Sequence, residues 1–297
     1  MKPSQCILVL SHRCNYTCKH CYDRMNRDIL PHDIVVKNAF KVLKRLKKEK
    51  ITHITFSGGE CSLFPYFLDI LKFAKKKGFF INIFTNGSSK NFALFDFADS
   101  ISTSIDGRKN IHNLIRGSSL AYDNVLNFIS NPIIKNKKLT VQSTINRMNI
   151  GDLSFLDEIL QKLIFPKDLL YVSCMLETSD PSQRGLTLTQ KEEKKVFMYL
   201  QELLKKNNYH INLKTNLIEV ESLKLLSPTH MDFQIPLFID LASDKYYFSS
   251  NSSQFFSDVL NLDFSMFEKE LFGIHKKLLS LKLKKGTYLN LENYFLS

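Results

Sequence analysis

Residues 5–21 read Gln5-Cys6-Ile7-Leu8-Val9-Leu10-Ser11, then His12-Arg13-Cys14-Asn15-Tyr16-Thr17-Cys18-Lys19-His20-Cys21. The first part is a short β-rich run, and it leads directly into a polar loop that carries three cysteines. Moving outward, β-rich runs alternate with longer helical patterns. Asp33 to Lys48 reads as a helix, Ile51 to Ser57 as a strand, Phe64 to Lys77 as a helix and Phe79 to Phe84 as a strand. Ile101 to Ile105, Leu139 to Ile145 and Leu169 to Leu176 continue as strands, separated by helical patterns at Ala121 to Ser130 and Leu153 to Leu163. In the first helix Val35, Ala39, Val42, Leu43 and Leu46 recur with the helical period, so one face can pack on a sheet. Alternating strands and helices predict parallel βαβ units with right-handed crossovers, whose ligands gather at the carboxyl ends of the strands.

Thr189 to Lys206 reads as a further helix, with Thr189 at the N-cap and Glu192 three residues on, as in a capping box. Beyond it the alternation stops. Ile235 to Asp240 and Lys245 to Ser249 flank a polar turn and read as a hairpin, followed by a Phe-rich and then Lys-rich helical stretch to about residue 285. The chain therefore divides into a six-unit α/β body over residues 1–209 and a small α+β appendage over residues 210–297.

The 297 residues can bury a large core, and 44% hydrophobic with 24% charged residues is ordinary for a folded globular chain. Six cysteines are too few for a disulfide scaffold, and three of them within eight residues suggest a metal site in a reducing compartment, the cytoplasm. No segment has the roughly 18 consecutive apolar residues that a membrane helix requires. Charge is uneven: residues 1–150 carry 24 basic and 10 acidic side chains, whereas residues 151–297 carry 17 and 19. A basic half suits nucleic acid, an acidic protein partner or an anionic substrate, and equally a plain solvated surface of lysines such as Lys75, Lys76 and Lys77.

The Cys14-x3-Cys18-x2-Cys21 spacing carries the strongest chemical signal. Closely spaced thiolates select zinc or an iron–sulfur cluster. Structural zinc takes four ligands, commonly as two pairs, and no partner pair follows; His12 or His20 would have to complete such a site. Three thiolates suit a 4Fe-4S cluster with one iron left open. Ser57-Gly58-Gly59-Glu60 ends the second strand, where two glycines permit close backbone approach and a carboxylate can hold an ammonium group. Phe84-Thr85-Asn86-Gly87 ends the third strand, and Ser104-Ile105-Asp106-Gly107 ends the fourth, followed by His112 to Gly117. All of these lie at strand carboxyl ends and converge on one mouth.

The cysteine triad, the Gly58-Gly59-Glu60 tripeptide and the Ile105-Asp106-Gly107 to Arg116-Gly117 stretch, in this order, resemble the radical S-adenosylmethionine (radical SAM) superfamily. The resemblance spans roughly residues 5 to 206 and is strongest to the sulfatase-maturing and peptide-modifying group. It implies an α/β fold, a partial (β/α)6 TIM-like barrel with a small α+β C-terminal cap. It further implies that Cys14, Cys18 and Cys21 ligate one 4Fe-4S cluster whose open iron chelates S-adenosylmethionine. His20 matches the usually aromatic position near the adenine, and Gly58, Gly59 and Glu60 match the motif receiving the methionine ammonium. Ser104 matches a polar cofactor contact, Arg116 the arginine that holds the cofactor's carboxylate, and Leu176 a residue facing the adenine. By resemblance the chemistry is reductive cleavage of S-adenosylmethionine to a 5′-deoxyadenosyl radical, which abstracts hydrogen from a substrate carbon.

Relatives often carry a cysteine-rich C-terminal region for auxiliary clusters, but this chain has no cysteine after Cys174. Gln234 to Ser250 resembles the hairpin of that region with its ligands missing, a metal-free cap. Cys174, near the end of the sixth strand, could return a hydrogen atom to a substrate radical or could simply be a small buried residue. Cys61 and Cys6 read as packing residues, Asp106 and His112 as turn and helix-entry residues, and Asn86 as either cofactor contact or turn residue. The expected substrate is a ribosomally made precursor peptide, crosslinked, epimerised or otherwise altered at carbon. A small-molecule enzyme such as a sugar or aminoglycoside dehydrogenase is the alternative. A zinc-stabilised RNA-binding protein is the distant one, because no interleaved aromatic–basic motif or RNA module is visible and nucleic acid is not the expected partner. The basic half instead suits an acidic flavodoxin or ferredoxin that delivers electrons, or an acidic leader peptide.

Overall fold

The computed structural model describes residues 5–21, 28–163, 168–175, 180–206, 212–215, 217–219, 237–243, 245–247, 256–257 and 288–290. Strands β1 (Gln5–Val9), β2 (His53–Ser57), β3 (Phe80–Phe84), β4 (Ser100–Ser104), β5 (Lys138–Ile145) and β6 (Leu169–Cys174) lie side by side in chain order, all parallel. Helices α1 (His32–Lys48), α2 (Phe67–Lys76), α3 (Lys109–Arg116), α4 (Ala121–Ser130), α5 (Pro132–Lys135), α6 (Phe155–Lys162) and α7 (Gln190–Lys206) complete the α/β alternation.

The helical period of α1 holds in three dimensions: Val35, Ala39, Val42, Leu43 and Leu46 are its buried residues. They join Cys6, Leu8, Ile54 and Phe56 in one hydrophobic core. Each fully buried leucine or isoleucine there contributes about 1.5–3 kcal/mol relative to exposure. The helix stops where Lys50 adopts φ 64° and the Lys50 and Ile51 N–H groups donate back to the carbonyls of Lys47 and Leu46. These bonds close a Schellman-type end on a residue other than glycine. At α7 the capping box forms as the sequence predicts. Thr189 N donates to Glu192 Oε2 at 2.7 Å, and Glu192 N donates to Thr189 Oγ1 at 3.3 Å.

The two faces of the sheet differ in chemistry. Ile81, Ile83, Ile101, Leu139, Val141, Leu170 and Val172 belong to the hydrophobic core. The alternate positions carry Asn82, Ser100, Ser102, Ser104, Thr140, Gln142, Thr144, Tyr171 and Ser173. Register sets Asn82 beside Ser100, Ser102 beside Thr140, Ser104 beside Gln142 and Thr144 beside Ser173. A wholly buried parallel sheet is apolar on both faces; this one mixes these polar side chains with Phe80, Phe84, Leu169 and Lys138 on the face away from the core.

Strands from beyond residue 209 enter the same sheet. β7 (Asn212–Thr215) pairs parallel with β6, and β9 (Leu237–Asp240) pairs parallel with β1. The expected boundary at residue 209 thus falls within one continuous sheet. The expected hairpin is present as β9 and β10 (Lys245–Tyr247), antiparallel, with β11 (Phe256–Ser257) at the edge. β8 (Leu217–Glu219) and β12 (Tyr288–Asn290) form a separate antiparallel pair. The turn of the hairpin reaches the cysteine-bearing end: Leu241 N donates to Val9 O, and Ala242 O accepts from Ile29 N and Leu30 N, each at 2.9 Å.

Candidate cofactor site

Ser11 to Cys21 leaves the carboxyl end of β1 and is held on several sides. Asp28 accepts from Ser11 Oγ at 2.8 Å and from His12 N at 2.6 Å. The turn after β2 runs against the same segment: Gly59 N donates to Ser11 O at 2.9 Å and Glu60 N to Arg13 O at 2.8 Å. This approach requires glycine. A Cβ on Gly58, which has φ +121°, would lie 2.4 Å from Ser11 O, and one on Gly59 would lie 2.2 Å from Arg13 O.

On the other side, α3 ends against the cysteine loop. Lys19 N donates to Ile115 O at 2.8 Å, and Thr17 Oγ1 donates to Gly117 O at 3.3 Å. Gly117 is the left-handed C-cap of α3, and a Cβ there would meet Thr17 Oγ1 at 2.2 Å. Asn86, after β3, donates through Nδ2 to Asn15 Oδ1 at 2.9 Å and reaches Cys14 Sγ at 3.7 Å. Asn124 on α4 donates to Tyr16 OH at 2.9 Å, and Gln183 donates to Cys21 O at 2.9 Å. Six separate segments, at Asp28, residues 59–60, Asn86, residues 115–117, Asn124 and Gln183, therefore hold the loop.

None of the three cysteines is in a disulfide; Cys14 is exposed, and Cys18 and Cys21 are half-buried. Burial raises the Cys14 and Cys18 thiols above the ordinary value; at Cys18 the Arg116 guanidinium opposes that rise. Among the described residues no group of three His, Cys, Asp or Glu is drawn together as a single metal ion requires. Three thiols with one further position left open match the donor set of a 4Fe-4S cluster.

Glu60 is 1% exposed, and its carboxylate is engaged by the protein itself. Oε1 accepts from Ser62 N at 3.2 Å, Ser62 Oγ at 2.6 Å and Thr85 Oγ1 at 2.9 Å, and Oε2 accepts from Asn86 N at 2.7 Å. Burial raises its pKa, against the lowering by these donors. In this structure the side chain fastens the turn after β2 to the turn after β3; the neighbouring glycines form the close approach to the cysteine loop.

Arg116 and His20 come together on Asp106, which sequence reasoning had assigned to a turn. Arg116 Nη2 lies 2.6 Å from Asp106 Oδ2 as an ion pair, and Nη1 lies 3.9 Å from Cys18 Sγ. His20 Nε2 is 3.7 Å from Asp106 Oδ2. Burial lowers the His20 pKa to about 4, so its ring is neutral at pH 7. Arg116 Nε and His20 Nδ1 are buried with no partner among the described residues. Buried polar groups are normally satisfied, so these atoms mark where a polar ligand fits. The orphaned guanidinium donor suits a carboxylate, and the thiol triad suits an iron–sulfur cluster; the residues present fit both cofactors.

Ser104 sits half-buried at the end of β4, on the polar face. Cys174 is 4% exposed and packs in the core with Leu170 and Val172, on the face opposite Tyr171 and Ser173. Cys61 donates through Sγ to Phe84 O at 3.1 Å, a buried packing contact, and Cys6 is fully buried. Leu176 lies outside the described residues.

Residues 8–131 match the family model described as the Radical SAM superfamily. The chain is 27% identical over 157 residues to the sporulation killing factor maturation protein SkfB of Bacillus subtilis, covering 51% of this chain and 38% of that protein. It is 32% identical over 114 residues to an S-adenosylmethionine-dependent nucleotide dehydratase of Flammeovirga pacifica, covering 36% of this chain and 39% of that protein. The matches thus span about two fifths of the length of these curated relatives. In fold it is similar to Streptococcus suis SuiB bound to precursor peptide SuiA, with TM-score 0.70 at 13% identity, over 98% of this chain and 70% of that one.

Proposed function

This chain belongs to the radical SAM superfamily, and from that premise we propose that it modifies a ribosomally made peptide by radical chemistry. Cys14, Cys18 and Cys21 would hold one 4Fe-4S cluster, and S-adenosylmethionine would occupy the mouth at Gly58, Gly59, Ser104, His20 and Arg116. The chemistry supplied when both are bound is one-electron cleavage of S-adenosylmethionine to methionine and a 5′-deoxyadenosyl radical, which abstracts hydrogen from the substrate.

The observation that carries this reading is the arrangement of the cysteine loop between the glycine turn after β2 and the end of α3, with Arg116 against Cys18. These contacts hold the thiols in place before a cofactor arrives, and the unpartnered Arg116 Nε is a planar, permanently charged donor for a carboxylate. The polar side chains on that face of β3–β6 offer hydrogen bonds to a substrate held near the cofactor. A peptide substrate is favoured by the similarity to SkfB, a maturation protein, and by the fold shared with SuiB, which was solved with a precursor peptide.

The likeness to a nucleotide dehydratase favours a second reading, a small-molecule substrate. Cys174 as hydrogen donor remains part of the peptide proposal; its core-side placement means that the end of β6 would have to open for the thiol to reach a substrate. No helix among the described residues is long and apolar enough to cross a membrane. A reducing cytoplasm is the compartment we assign, with an acidic flavodoxin or ferredoxin as electron donor. The test is anaerobic incubation of the reduced, cluster-loaded enzyme with peptides encoded beside its gene and, separately, with nucleoside triphosphates. A mass change in a peptide supports the first reading; a changed nucleotide with unchanged peptides replaces it with the second.

A further inference from the structure

Asp106 lies just past the carboxyl end of β4 and is 0% exposed, yet it is tied to four parts of the chain. Oδ2 faces Arg116 Nη2 at 2.6 Å and His20 Nε2 at 3.7 Å. Oδ1 accepts from Thr144 N at 2.9 Å. Its backbone N–H donates to His112 Nδ1 at 3.0 Å, and its carbonyl accepts from Asn149 Nδ2 at 2.9 Å. A turn residue requires none of these side-chain contacts. The carboxylate is therefore fixed in position before Arg116 meets it.

Arg116 reaches Cys18 through Nη1 while Nη2 is held by Asp106. A guanidinium is a rigid plane, so two anchored nitrogens fix its orientation and leave Nε pointing in a set direction. Nε is the buried donor without a partner among the described residues. We propose that Asp106 is a positioning residue: it holds the Arg116 guanidinium against Cys18, fixing a positive charge beside one ligand of the cluster and aiming Nε at the cofactor's anionic group. The inference rests on the cluster and cofactor reading above and adds to it the residue that sets Arg116 in place.

A plain structural ion pair would behave differently, and the sign of one measurement separates the two. Positive charge near a cluster favours its reduced, more negative state, so losing the guanidinium lowers the reduction potential. If Asp106 positions Arg116, Asp106→Asn frees the guanidinium from Cys18 and lowers the potential as Arg116→Gln does. If Asp106 only neutralises a guanidinium that stays in place, removing its negative charge raises the potential.

The experiment uses the anaerobically reconstituted full chain, with iron and sulfide content and circular dichroism checked for each variant. The midpoint potential is read by electron paramagnetic resonance titration, and S-adenosylmethionine affinity by calorimetry without turnover. We expect Asp106→Asn and Arg116→Gln to lower the potential in the same direction, each weakening S-adenosylmethionine binding about tenfold or more. In S-adenosylmethionine affinity the double variant should match Arg116→Gln alone. A raised potential in Asp106→Asn, or a double variant clearly weaker than Arg116→Gln, overturns the proposal. Should Asp106→Asn fold poorly because a buried guanidinium is left unpaired, the double variant removes both charges, and its comparison with Arg116→Gln still decides. A wild-type chain that assembles no cluster overturns the underlying reading together with the proposal. A wild-type cluster with uncoupled variants overturns the role of Asp106 alone.

Discussion

Gly59 and Arg13 meet so closely that a single added methyl on Gly59 would lie 2.2 Å from the Arg13 carbonyl oxygen. Arg13 immediately precedes Cys14, so this contact sets the position of the residue proposed as the first cluster ligand. Gly59→Ala should push the cysteine loop away, lowering both the thermal midpoint and the iron and sulfide bound per chain after reconstitution. Gly151→Ala is the control, because nothing lies within 4 Å of a Cβ at that position. Equal iron loading in both variants would remove the close approach from the account.

Glu60 accepts from four donors spread over the turns after β2 and β3. Glu60→Gln keeps the shape but turns an amide N–H₂ toward either Asn86 N or the Ser62 and Thr85 donors, and two donors then face each other. A buried donor left unsatisfied costs about 1–3 kcal/mol. Chemical denaturation of the metal-free chain should show a loss of this order. A variant as stable as the parent would mean that the carboxylate does not fasten the two turns.

Burial lowers the His112 pKa to about 4, with the Asp106 carboxylate opposing that shift and the Arg116 and His20 charges adding to it. Its Nδ1 accepts from the Asp106 N–H, which requires the ring to be unprotonated at that nitrogen. The unfolded chain, with its histidine near 6.5, therefore binds the proton first as pH falls. Stability should fall as the pH drops from about 6.5 to about 4 and then level off for this group, by about 3 kcal/mol in total. His112→Asn, whose side-chain oxygen can still accept from Asp106 N, should flatten the metal-free chain's stability profile in that window. An unchanged slope would assign it to other groups.

The excess of basic side chains lies in the half that carries the cysteine loop. Encounter with an acidic electron carrier is then accelerated by charge, and salt screens it over about 8–10 Å at physiological ionic strength. Raising salt should slow flavodoxin-driven turnover more than turnover driven by a small chemical reductant. Equal sensitivity in the two assays would argue against an acidic donor.

The course of the chain and the site were legible to different degrees, for physical reasons. Helix α1 was legible because its buried residues follow the helical period. α3 was not read as a helix: it is eight residues long, begins after Arg108 with no side-chain cap, and buries only His112 and Ile115. β7 lies in a polar stretch and gains its place only by pairing with β6. The cysteine loop and the glycine turn were legible because their chemistry is local to short spacings. Asp106 was read as a turn residue because its partners Arg116, His20 and Thr144 come from separate segments. Glu60 reads in the sequence as a carboxylate that can hold an ammonium group, and the structure adds the donors from Ser62, Thr85 and Asn86, which come from positions the spacing does not connect.

The central claim is that Cys14, Cys18 and Cys21 hold a cluster that cleaves S-adenosylmethionine. The most direct measurement is anaerobic reconstitution with iron and sulfide, followed by reduction with S-adenosylmethionine present and assay for 5′-deoxyadenosine. The expected result is 5′-deoxyadenosine from the parent chain and none from a variant with all three cysteines replaced by Ala. A parent chain that binds no iron and sulfide, or forms no 5′-deoxyadenosine under several reductants, would contradict the account.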